Sequence, residues 1–105
     1  MTILDTHAQG EPYRRDDEHE NRVEAGGAHL LGLWAAGLMG LEEAHLHDYA
    51  AAVSSAEKAH PETDAALNKV VRDLEGAGLK VSEGQIRGKL NELQALTRGQ
   101  LGAGA

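Results

Sequence analysis

The stretch from Leu30 to Leu41, LLGLWAAGLMGL, sets the only tryptophan of the chain in a nearly continuous apolar run with no charged or nucleophilic side chain. Such a run has to be buried, which restricts what the chain can become. Read as a helix, Leu30, Trp34, Leu38 and Leu41 form one stripe at the i, i+4, i+8, i+11 spacing, and Val23 and Leu31 extend it. Gly32, Ala36 and Gly40 form a second stripe of small residues, on which another helix can approach closely. A helix apolar over so much of its circumference sits at the centre of a bundle or in a membrane. The run is 12 residues long, short of the roughly 20 apolar residues that span a bilayer. A core helix is therefore expected, with no membrane insertion.

The rest of the composition agrees with helices. At 105 residues the chain is one domain with a single modest core. It has one Trp, two Tyr and no Phe, so Leu, Val, Ile and Ala must fill that core, and a sheet would want more β-branched and aromatic residues. There is no cysteine, hence no disulfide frame and no thiol chemistry, as suits a cytoplasmic protein. The opening MTILDTHAQGEPYRRDDEHE lacks the long apolar run of a secretory signal. The net charge of −7 is uneven: residues 1–25 carry seven acids against three bases, 26–66 six against one, and 67–105 four against six. A nucleic-acid partner usually meets a basic face, so none is expected. The acids either solvate exposed faces or meet a basic protein surface.

Four helices can be drawn, giving an all-α, four-helix bundle behind a flexible N-terminal arm. The expected organisation is an arm over residues 1–15, the helical domain over 16–98 and a disordered tail over 99–105. The first helix runs from about Asp16 to Leu38 with acids in its first turn, where the dipole favours them, and Gly26 and Gly27 interrupt it at about 0.5–1 kcal/mol each. The second, about Glu42 to Ala56, presents Leu46, Tyr49 and Val53 and lacks a side-chain cap. Glu57 to Thr63 reads as a loop, since Pro61 biases His60 away from helix. The third, about Asp64 to Glu75, shows Leu67, Val70, Val71 and Leu74 on one face, with Thr63 as cap and Gly76 or Gly78 as stop. The fourth has the clearest start: Ser82 and Gln85 fit a capping box, and Val81 and Ile86 a hydrophobic staple. Ile86, Leu90 and Leu93 form its buried stripe, and Glu83 and Arg87 are spaced to pair at i, i+4.

The sequence carries no catalytic motif. The glycines near Trp34 lack the Lys and Ser or Thr of a phosphate loop. Ser54 and Ser55 lack a base, Ser82 is explained as a cap, and the acids are scattered over polar faces with no pocket marked around them. No enzyme activity and no cofactor are expected. Of the six histidines, His45 and His47 lie about 200° apart around a helix and cannot share an ion. His45 with Asp48 falls short of the three or four ligands of a zinc site, so no metal is expected. His7, His19, His29, His45, His47 and His60 instead suggest a chain whose acidic balance weakens near pH 6.5.

LLGLWAAGLMGL, the upstream YRRDDEHENRVEA and the downstream VVRDLEGAGLKVSEGQIRGKLNEL together resemble the zeta subunit family, the inhibitor of bacterial F-type ATP synthase. The likeness covers roughly Tyr13 to Leu96. The resemblance implies a cytoplasmic interaction protein, peripheral on the membrane-bound enzyme, whose partner is the catalytic head of the ATP synthase. In that family the bundle is a holder, and the segment before it enters a catalytic subunit interface as a helix and blocks rotation. Here the partner-binding residues would be Pro12, Tyr13, Arg14, Arg15, Asp16, Asp17 and Glu18, with Pro12 tolerated as the first residue of such a helix. The alternative is a helical interaction module of the same family that has lost the inhibitory arm. A helix-interior proline costs about 3 kcal/mol, enough to weaken binding roughly a hundredfold, and Gly10 and Pro12 lie in the stretch concerned.

Overall fold

The computed structural model describes the backbone of residues 2–103 and the side chains of residues 20–100. Helix α1 spans Thr2–Leu38, α2 Glu43–Ala59, α3 Ala65–Gly76 and α4 Glu83–Ala103, with a 3₁₀ turn at Pro61–Thr63. No strand occurs among the described residues, and no helix there is long and apolar enough to cross a membrane. The all-α, four-helix architecture is the one the periodicity implies. α1 is the axis of the bundle and touches α2, α3 and α4. Its helical backbone begins at Thr2, upstream of the start expected near Asp16, and no element boundary falls between residues 15 and 16. At the other end α4 carries helix into the expected tail as far as Ala103; Met1, Gly104 and Ala105 lie outside the described residues.

The Gly26–Gly27 pair does not interrupt α1. These residues are small because α4 lies against them: a β-carbon on Gly26 would stand 2.6 Å from Thr97 Cγ2, and one on Gly27 would stand 2.5 Å from Gln94 Cγ and 3.2 Å from Gln94 Cα. Further along, a β-carbon on Gly32 would meet Ala50 Cα of α2 at 2.7 Å. The helix thus forgoes some intrinsic propensity and gains close packing on two neighbours.

That packing also rotates the buried stripe. The fully buried residues of α1 include Val23, Ala28, Leu31, Ala35 and Ala36, a line about 100° round from Leu30, Trp34, Leu38 and Leu41. Leu38, expected in the core, is 44% exposed. The reason is geometric: helices approach most closely over small side chains, so bulky ones flank the seam. Leu30 and Leu41 are half-buried, while Trp34 packs on the core from its edge. The central cluster joins Ala28, Leu31 and Ala35 to Val53 of α2, Ala66, Leu67, Val70 and Leu74 of α3 and Ile86 of α4. Tyr49, Val71, Leu90 and Leu93 pack against it, and Leu46 is half-buried. Tyr49 also ties α2 to α3, its hydroxyl donating to Asp73 Oδ2 at 2.7 Å while Lys69 Nζ lies 3.1 Å from the same oxygen. Burial, then the Asp73 carboxylate, holds the phenol well above the usual tyrosine range.

Element ends follow local chemistry. α1 and α3 both stop in Schellman motifs. Gly40 (φ +73°) and Gly78 (φ +79°) occupy the left-handed position, and Leu41 N–H donates to the Ala36 carbonyl at 3.0 Å as Leu79 N–H donates to that of Leu74 at 3.0 Å. α2 starts at an extended Glu42 without a side-chain cap and runs through Glu57 to Ala59, longer than expected, because Pro61 bars from helical geometry only the residue before it, His60. Thr63 does not cap α3; its hydroxyl donates back to the His60 carbonyl at 3.1 Å, and the capping position falls to Asp64 in left-handed geometry, φ 52°, with no side-chain capping hydrogen bond. The capping box of α4 is present, Gln85 N–H donating to Ser82 Oγ at 3.1 Å and Ser82 N–H to Gln85 Oε1 at 3.0 Å. Arg87 reaches Asp64 Oδ2 at 3.6 Å rather than pairing along its own helix with Glu83, because α3 brings that carboxylate to it.

Candidate functional site

The segment of α1 from Glu20 to Gly27 is where the long helix passes from its N-terminal part into the grip of the bundle, and its two flanks differ. On the α4 flank the backbones approach over Gly26 and Gly27. Thr97, buried at 8% exposure, fills the space at Gly26 and donates its hydroxyl to the Leu93 carbonyl at 2.9 Å. One helical step outward, Arg98 grips Glu20 with Nη2 at 3.1 Å from Oε2 and Nε at 3.4 Å from Oε1. Both ends of this pair are about half exposed, so its contribution is at most about 1 kcal/mol.

The α2 flank is looser. Ser54 donates to the Ala25 carbonyl at a long 3.4 Å, and a cavity of about 170 Å³ is lined by Asn21, Glu24, Ala25, Glu57, Lys58 and Pro61. Glu57, only 8% exposed, accepts the Ala66 N–H at 3.5 Å and so serves the orphan amide at the start of α3. Burial pushes its carboxyl above the ordinary glutamate range; the Ala66 N–H opposes the shift, while Glu24, Asp64 and Glu62 add to it.

The residues expected to meet a partner, Pro12, Tyr13, Arg14, Arg15, Asp16, Asp17 and Glu18, belong to the N-terminal half of α1 and lie outside the residues whose side chains are described. What the structure adds is the apparatus that holds the next two turns, and the sequence reading missed it. Its signal was present: a Gly-Gly-Ala run inside an otherwise helical pattern can mark a close helix contact as well as a break. The Glu57 contact had no such signal, because it joins the end of one helix to the start of another through their packing. His45, His47 and His60 are exposed, and no three metal-binding side chains come together among the described residues.

The family model for ATPase inhibitor subunit zeta matches residues 1–100 of this chain. No curated protein and no solved structure shows significant similarity to it. With the all-helical fold and a match that takes in nearly the whole chain, the protein belongs to the ATPase inhibitor subunit zeta family.

Proposed function

We propose that this protein inhibits ATP hydrolysis by an F-type ATP synthase, with the bundle as holder and the N-terminal part of α1 as a helical plug entering the catalytic head. The observation that carries this reading is that the family match includes residues 1–19 together with the bundle, in a chain whose first helix extends upstream of the segment gripped by α2 and α4. The action is steric: no step requires a bond to be made or broken, so the protein needs neither catalytic group nor cofactor. The part of α1 upstream of the gripped segment, residues 2–19, acts as the arm and carries the helix toward the partner. The working partner is the catalytic head, and attachment is peripheral to the membrane-bound enzyme.

The test is direct. ATP hydrolysis by the cognate enzyme is titrated with the intact chain and with a chain lacking residues 1–15. The intact chain is expected to inhibit and the shortened one is not. Equal inhibition by both would move the blocking surface to the bundle. Absence of inhibition by either would favour the second reading, a non-inhibitory interaction module, for which Gly10 and Pro12 within helix α1 are the specific observation.

A further inference from the structure

We propose that Gln94, Thr97 and Arg98 of α4 are positioning residues for the arm: they clasp α1 at Glu20, Gly26 and Gly27 and so set the direction in which it leaves the bundle. This rests on the inhibitory role proposed above and adds the device that aims the plug.

The asymmetry of the exit carries the inference. On the α4 flank there is no slack, since even one methyl group on Gly26 or Gly27 would stand within 2.6 Å of a side-chain atom of Thr97 or Gln94. On the α2 flank there is a cavity of about 170 Å³ and, among the described residues, one long hydrogen bond from Ser54. A rod pressed against a wall on one side and facing a gap on the other takes its direction from the wall. Thr97 is part of that wall because its hydroxyl is tied to the Leu93 carbonyl, which fixes the rotamer that points Cγ2 at Gly26. Arg98 extends the contact further along α1 to Glu20.

The lever arm gives the contact its consequence. As a helix, the stretch from Thr2 to His19 rises about 27 Å. A tilt of about 10° at the exit then shifts the tip by about 5 Å, roughly one helical turn. A plug that must enter a cleft between subunits tolerates little such error. Close packing at two glycines, costly to helix propensity, is what an aiming device requires and what a freely swivelling tether would not need.

Amide exchange of the full-length chain separates the possibilities, because propensity and packing predict opposite signs. At Gly37 a β-carbon would meet nothing within 4 Å, so Gly37→Ala should only strengthen α1 and slow its local exchange by about two- to fivefold. Gly27→Ala should instead accelerate exchange over residues 20–27 by about fivefold or more, while α3 residues 67–74 stay protected. Gly26→Ala should do the same, and Gly26→Ala with Thr97→Ser, which removes the offending Cγ2, should restore protection. Arg98→Glu should give a milder loss of up to about fivefold, recovered in part by adding Glu20→Arg.

Inhibition of the cognate ATPase supplies the second readout, taken where every variant remains folded. The concentration for half inhibition should rise in the order of local exchange and return in both rescued variants. If Gly27→Ala slows exchange as Gly37→Ala does, the clasp is overturned. If exchange rises while potency is unchanged, the contact is structural and the aiming role is overturned. A wild-type chain that fails to inhibit overturns the inhibitory reading itself and the aiming role with it, while the exchange data still decide whether α4 grips the exit.

Discussion

The Glu57 carboxylate, in the last turn of α2, accepts the Ala66 N–H at 3.5 Å and so serves the start of α3, where Asp64 makes no side-chain cap. One helix thereby completes another, with an acid that burial and three neighbouring carboxylates keep reluctant to ionise. In Glu57→Gln the amide oxygen still accepts from Ala66 and the buried charge is gone. Because the folded pKa of Glu57 lies above its unfolded value, its favourable contribution is complete below about pH 4.5 and is lost as pH rises through the folded value. The stability advantage of Glu57→Gln over the native chain should therefore be small near pH 4.5 and grow toward neutrality. Urea unfolding at a series of pH values measures it; an advantage independent of pH would show that the fold does not raise the Glu57 pKa.

Leu31 and Leu38 sit on the same helix with opposite fates, one fully buried and the other 44% exposed. Leu31→Ala should cost about 2–5 kcal/mol through lost burial and a residual cavity. Leu38→Ala should cost less than about 1 kcal/mol. Denaturant midpoints with unchanged slopes would report the difference; comparable losses at both positions would mean that the buried line runs through Leu38 after all.

Tyr49→Phe deletes the hydroxyl that joins α2 to Asp73 and leaves the ring in place. The expected loss is about 0.5–1.5 kcal/mol, kept at the low end because Lys69 still neutralises Asp73 at 3.1 Å. Thermal melts of the single variant and of its combination with Asp73→Ala would show whether the effects couple, as residues in contact should.

The capping box gives a local test. Ser82→Ala removes the acceptor for Gln85 N–H and should cost about 0.5–2 kcal/mol. Exchange should speed up first at residues 83–86, and a uniform change along the whole chain would point to global destabilisation instead.

For the arm, the double variant Gly10→Ala with Pro12→Ala raises helix propensity upstream of the bundle and leaves the packed residues untouched. It should inhibit the cognate ATPase more tightly than the native chain, by up to roughly a hundredfold if the full cost of about 3 kcal/mol for an interior proline applies. Equal potency would place the start of the inhibitory helix at or beyond Pro12, where that proline is tolerated.

Sequence alone determined the class of fold and most of the helix ends. The 3.6-residue recurrence of apolar positions excludes a sheet, and the glycine at 78 and the Ser82–Gln85 pair act within a few residues of themselves, so local chemistry suffices to place them. The buried face of α1, the roles of Gly26 and Gly27, the cap that Glu57 lends to α3 and the Arg98–Glu20 grip were decided only in three dimensions. Each depends on which neighbour arrives and how closely, and periodicity leaves such a choice open by about one residue around a helix. Gly32 and Ala36 were legible as a stripe that another helix could approach, and Gly32 does lie against Ala50 of α2 while Ala36 is fully buried; the large apolar residue Leu38 is exposed instead, because dispersion and burial grow as backbones approach. A glycine pair that weakens an isolated helix is, for the same reason, a place where the folded protein packs it closely against α4.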